Sequence, residues 1–248
     1  MGPNNLKQLN RSYQIGFFAF FIFTSTLFSM VILNSSFTFA QSSDKVFSIN
    51  EKPFGITYGE WTAKWWQWAY SIPVSLNPAY DNTGIHCSIN QTSPTWFFPG
   101  TYGHDVTRIC KIPEGTAILF PILNSECSYA EFPNLKNETQ LSNCARDEQD
   151  KVSLLNASID GHKIENLHQY RVQSPLFNFT LPKENILGLY PQNTRVSDGN
   201  WVFVKPLSIG KHVISFKGET VDIQDNKTKS FAVPSGWNYN TTYLLTVK

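Results

Sequence analysis

Residues Thr57–Pro73 read TYGEWTAKWWQWAYSIP and hold four of the chain's seven tryptophans. Stepped at the roughly 100° per residue of a helix, Trp61, Trp65, Trp68 and Ile72 share one face, and Glu60, Lys64, Gln67 and Ser71 the opposite one. Trp66 and Tyr70 lie between. The apolar arc is therefore wide, and a helix here must be mostly covered. Thr57 and Glu60 fit the S/T-x-x-E capping box, in which two side chains satisfy two free backbone N–H groups reciprocally. Glu60 and Lys64 add an i, i+4 pair. Pro73 ends the helix, because the residue before a proline is pushed out of the α region.

Outward from this helix the periodicity changes, and residues 41–56 before it read as a polar lead-in. After the turn formers of Asn77–Gly84 come Thr95–Phe98, Thr107–Ile112 and Thr116–Leu123, short apolar runs that read as strands. The last two read as a pair around the turn Pro113-Glu114-Gly115. The continuous run AILFPIL (117–123) suits a strand covered on both faces, and Pro121 within it implies a bulge or an edge. Residues 128–150 read as a polar excursion pinned by Cys127 and Cys144. Val152–Ile159 ends at Asp160-Gly161, a hairpin signal. Further alternating runs follow in Arg195–Pro206, His212–Phe216 and Tyr239–Val247. Strands at this spacing, with turns between, predict a mostly β fold. The expected form is a β-sandwich, Ig-like or jelly-roll-like, with one Trp-rich α-helix packed on it. A subdivision near residue 150 is compatible with the pattern.

At the N-terminus, Lys7 and Arg11 precede the uncharged stretch Ile15–Leu33, and Thr38 and Ala40 place small residues at −3 and −1. Residues 1–40 thus read as a signal peptide cleaved after Ala40. The apolar stretch is long enough that an uncleaved signal anchor is the alternative. Either way residues 41–248 are expected to be exported, in the secreted state or on the outer face of the cell membrane, with membrane contact only through the N-terminal segment. Loss of the leader removes two positive charges and takes the formal net charge from +1 to −1. That gives no electrostatic case for nucleic acid.

The aromatic content of 15% is heavy, while the charged content of 16% is below the usual quarter. All four cysteines lie beyond the leader, and an even count in an exported chain predicts disulfides. Three connectivities exist. Cys87–Cys110 and Cys127–Cys144 are favoured, since each closes a short loop rich in turn residues. With no C-x-x-C spacing, a metal site is the lesser reading, and none is assigned. Asn-x-Ser/Thr acceptor sites for glycans occur at Asn90, Asn137, Asn156, Asn178, Asn226 and Asn240.

The segments YGEWTAKWWQW, NPAYDNTGIHC, WFFPGTYG and RICKIPEGTAILFPILN, with KPLSIGKHVISFKG later, together resemble a family of uncharacterised exported prokaryotic proteins. The resemblance covers most of the chain after the leader. It implies export and a β-rich fold, and it transfers no catalytic residues.

No nucleophile elbow, phosphate loop or cofactor fingerprint is present, so no cofactor is expected. The five histidines form no metal-binding spacing, and His162 and His212, beside turns, read as solvated. Paired carboxylates would suffice for glycoside cleavage. Glu60, Asp81, Glu126 and Glu131 are the candidates near the aromatic clusters, with Glu126 first and Asp81 second. Asp81 reads better as an Asx-turn than as a calcium ligand. A ligand site is expected at the end of the 117–123 strand, where Asn124 and Glu126 emerge beside Cys127, with Trp66 as an aromatic contributor. The functional expectation is a binding or structural protein facing a surface ligand or envelope component. The alternative is an extracellular hydrolase of glycans or cell-wall material.

Overall fold

The computed structural model describes residues 45–188, 192–221 and 236–248, with residues 192–194 as backbone only. The expected leader, its expected cleavage site and the candidate acceptor Asn226 lie outside the described residues. Over the described residues the fold is mostly β, with two mixed sheets and two α-helices.

Helix α1 spans Tyr58–Ser71, with both halves of the Thr57/Glu60 capping box formed and Ile72 extended before Pro73. Trp61, Trp65, Trp66 and Trp68 are all buried, while Glu60, Lys64, Gln67 and Ser71 are exposed. The strands are β1 (Thr95–Phe97), β2 (Val106–Ile112), β3 (Ala117–Ser128), β4 (Val152–Ile159), β5 (His162–Lys163), β6 (Arg171–Gln173), β7 (Phe177–Thr180), β8 (Gln192–Val204), β9 (Gly210–Thr220) and β10 (Asn238–Val247). The first sheet runs β1-β3-β8-β6, with β7 also on β8, and the second runs β2-β10-β9-β4-β5. Strands from both sides of residue 150 enter each sheet.

Side-chain alternation decides which core each strand feeds. On β3, Ile118 and Phe120 join Phe216 and Tyr243 of the second sheet in one apolar cluster. Ala117 and Leu119 join Trp61, Trp65 and Trp68 in another. On β8, Val202 and Val204 enter the first cluster, Trp201 and Phe203 the second. The first sheet is thus covered on both faces, by α1 on one and the second sheet on the other, as the unbroken run AILFPIL requires. The second sheet is covered on one face, and β2 accordingly alternates buried and exposed at every residue.

Four expectations are corrected. β2 and β3 are not a hairpin: they lie in different sheets, and β2 pairs in parallel with β10. The physical reason is visible in the two patterns, since a strand buried on one face and a strand buried on both do not share an environment. Residues 128–150 are not only a polar excursion, because Glu138–Gln149 form helix α2, so the fold has two helices rather than one. Its apolar stripe is narrow, with Leu141 and Ala145 buried and Cys144 partly buried beside them. A start signal was nonetheless there: the Asn137 side chain accepts from the Gln140 N–H. Residues 41–56 are not wholly a polar lead-in, since Val46 is buried and bridges to Val204. His212 is not solvated, because its ring bonds Asp160 at 3.0 Å with the side chain 10% exposed.

Both disulfides form as favoured, Cys87–Cys110 and Cys127–Cys144. The hairpin at Asp160-Gly161 forms with both residues at positive φ. Asn90, Asn137, Asn156 and Asn178 are exposed and Asn240 is half-buried. Among the described residues no helix is long and apolar enough to cross a membrane.

Candidate functional site

The Pro121 bulge builds the site. The β3–β8 register shifts between Pro121 and Leu123, so Ile122 and Leu123 both enter the cluster shared with the second sheet. Strict alternation would send residues 124 and 126 the same way as Ile118 and Phe120. The extra residue reverses the parity, and Asn124 and Glu126 face α1 instead. They are therefore residues of β3 itself, which continues to Ser128, rather than of a loop beyond its end.

Here Asn124 and Glu126 join Trp65, Trp66 and Tyr70 of α1 around a cleft of about 240 Å³. Two loops supply the opposite wall, through Ala79 and Tyr80 and through Gly100 and Tyr102, and Glu131, Trp237 and Tyr239 complete it. Tyr80 and Tyr102 are 46% and 47% exposed and stack with centroids 4.8 Å apart, which sets them at the mouth. Glu126, at 3% exposed, lies at the inner end. Of the sequence candidates, the structure brings Glu126, Asn124, Trp66 and Glu131 together. Glu60 is taken up in its helix cap. Asp81 is also elsewhere, in the Asx-turn: its Oδ1 accepts from the Thr83 N–H and Oγ1–H, and its Oδ2 from the His86 N–H. Burial works to raise its carboxyl, and those donors outweigh it and hold it low.

Arg195, on β8, is the residue that sequence reasoning did not single out. It is fully buried, and its Nη1 donates to Glu126 Oε1 and, at 2.6 Å, to Glu131 Oε2. Its guanidinium lies over the rings of Phe179 (4.1 Å) and Tyr70 (4.9 Å). Ser128 holds Glu131 by an Oγ–H donated to Oε2 at 2.6 Å. Two carboxylates thus share one cation. Burial is the main cause that pushes the Glu126 carboxyl up, to about 8, with Glu131 adding to it and Arg195 opposing. Burial likewise raises the Tyr70 hydroxyl, which keeps its proton and donates to Glu126 Oε1.

Three side-chain atoms of residues that line this cleft are buried without a hydrogen-bond partner among the described residues: Trp66 Nε1, Asn124 Nδ2 and Glu126 Oε2. Beyond the lining, Arg195 Nε and Nη2 and Trp201 Nε1 are buried without a partner too. Buried polar groups are seldom left so, because each loses its hydration for nothing in return. No three His, Cys, Asp or Glu side chains among the described residues gather as metal ligands would.

A second buried arginine shapes the wall. Arg108 on β2 donates to the backbone carbonyls of Ala79, Asp81, Pro99 and Gly100 and to the Tyr243 hydroxyl. It clamps both wall loops to the second sheet, and Cys87–Cys110 ties the end of the first loop to the same strand.

No family model and no curated protein matches the chain. Among solved structures, the cysteine protease inhibitor EhICP2 from Entamoeba histolytica is similar over 62% of this chain and 96% of that one, at 10% identity and a TM-score of 0.21. At that score the likeness carries no argument about fold or function.

Proposed function

We propose that this chain is an exported β-sandwich protein, of the Ig-like or jelly-roll-like kind, that binds a small ligand in the aromatic cleft between α1 and the bulged end of β3. The observation that carries the reading is the set of unpartnered buried atoms, Trp66 Nε1, Asn124 Nδ2 and Glu126 Oε2, around one aromatic-walled cavity. Two disulfides suit an oxidising compartment and therefore export, as does the resemblance carried by the tryptophan helix and the segments after it. The ligand would be a component of the cell surface or envelope. A thermal-shift screen of the full chain against sugars, ammonium compounds, carboxylates and nucleosides tests this. At least one compound should raise Tm in the native protein and raise it less in Trp66→Phe. A flat response to every class would remove the reading.

Hydrolysis is the second reading, favoured by one observation: Glu126 is a carboxyl raised toward neutrality in a cleft, as a general acid must be. Against it, Glu126 and Glu131 meet on the same Arg195 nitrogen, so the guanidinium fills the space that a scissile bond would need between paired carboxylates. Turnover of glycoside substrates that vanishes in Glu126→Gln, with the fold intact, would establish the enzyme.

A further inference from the structure

We propose that the cleft takes a neutral, polyhydroxylated ring, a single sugar unit at the end of a glycan chain. The inference deepens the cleft-binding reading and rests on it.

The chemistry of the unpartnered atoms narrows the ligand. Trp66 Nε1 and Asn124 Nδ2 are donors and only Glu126 Oε2 is an acceptor or, when protonated, a further donor. A quaternary ammonium in an aromatic cage would leave those donors unsatisfied, since it brings no acceptor. A purely apolar ring would do the same. Hydroxyl groups both accept and donate, so a ring that carries several can meet the two N–H donors and Glu126 Oε2 in either of its protonation states.

Charge points the same way. The inner end holds one guanidinium against two carboxylates, both already bonded to it, and burial favours the neutral form of Glu126. The cluster is then balanced in charge, and Arg195, whose Nε and Nη2 also lack partners, is not among the residues that line the cleft. Trp65, Trp66, Tyr70 and Tyr239 supply the apolar surface on which the C–H face of a sugar ring is buried.

Size and shape set the rest. A cleft of about 240 Å³ is small for a ligand site and holds one ring. Tyr70 and Glu126, both buried, close its inner end, so a polymer cannot thread through it. The half-exposed Tyr80–Tyr102 stack at the mouth, with Trp237 edge-on to Tyr102 at 6.4 Å, offers an aromatic surface for the next unit outward. A chain end therefore fits, and a chain interior does not.

The test is an array of defined mono- and oligosaccharides probed with the full chain, followed by calorimetric titration of the strongest hit, of choline and of indole. Expected is binding to glycans that share one terminal sugar, competed by that free monosaccharide. Trp66→Phe, which keeps the ring and removes the donor, should weaken it about tenfold, the effect of one hydrogen bond. Tyr102→Ala should weaken oligosaccharides more than the monosaccharide. Binding of choline or indole without any sugar would overturn the proposal and leave the cleft-binding reading standing. Sugar binding unaffected by Trp66→Phe and Asn124→Ala would place the site elsewhere and overturn both. Silence toward every probe by a natively folded protein would overturn the proposal too.

Discussion

The Tyr70 hydroxyl donates to Glu126 Oε1 at 2.7 Å, which joins the last turn of α1 to the bulged half of β3 across 56 residues of sequence. Both groups are buried. Tyr70→Phe leaves the ring packing and removes the donor from a carboxyl that already has an unpartnered oxygen. We expect a loss of about 1–3 kcal/mol in urea unfolding, the cost of a buried acceptor left short of a donor. No change in the unfolding midpoint would show that this bond does not hold the helix end.

The pH dependence follows from Glu126. Its folded pKa, about 8, lies above the ordinary carboxylate value, so the folded state binds the proton more tightly. Its contribution to stability is full below the unfolded pKa of about 4.3 and is lost as pH rises toward 8. Tm should fall over that window, and Glu126→Gln should flatten the fall. Asp160 acts in a separate window: burial works to raise it, but His212, the Val213 N–H and Lys45 outweigh that and bring it to about 2. Its stabilisation is present above its ordinary pKa and is lost only as pH drops through 2. A Tm that rises from pH 5 to pH 8 equally in both proteins would refute the assignment to Glu126.

Gly199 lies opposite Asn124 in the β3–β8 register. A Cβ built there would come within 2.7 Å of Asn124 Cβ and 2.8 Å of Trp201 Nε1. Gly199→Ala should therefore push Asn124 into the cleft, destabilise by about 1–3 kcal/mol through overpacking and abolish ligand binding. Retained stability together with retained binding would mean that the strands part easily here.

Cys127–Cys144 closes a loop of 17 residues and pins α2 to β3. Replacing both cysteines by alanine should cost about 3 kcal/mol on the loop-entropy estimate. Because α2 backs the strand whose other face carries Glu126, hydrogen exchange should rise first in Leu123–Ser128 and in α2. Exchange that rises uniformly across both sheets would contradict this local effect.

The sequence made the helix, its caps, both disulfides, the bulge and most strands legible, because each is written in local chemistry: a period, a cap, a proline. Pairing between strands was not. Nothing local tells Val106–Ile112 to choose the distant β10 over the adjacent β3, since that choice depends on which faces are covered. The same holds for the site. Glu126 and Asn124 were singled out as polar residues at the end of an apolar strand, and Trp66 as an aromatic off the main helical face. Arg195 carried no signal, because a lone arginine at the head of a strand looks solvated until its carboxylate partners arrive from β3 and the segment after it. α2 was missed because its two buried apolar side chains make too thin a stripe to stand out among polar residues.

The position of β10 between β2 and β9 has a consequence for how the molecule comes into being. Of the ten strands among the described residues it is the last to leave the ribosome, yet every residue from Thr241 to Val247 is paired on both sides. Until residues 238–247 arrive, β2 has no strand beside it among the described residues, and the core around Phe120 and Phe216 lacks Tyr243 and Leu245. A chain emerging N-terminus first would therefore close its second sheet only once residues 238–247 are available. A chain cut short before residue 238 would yield no smaller version of the protein.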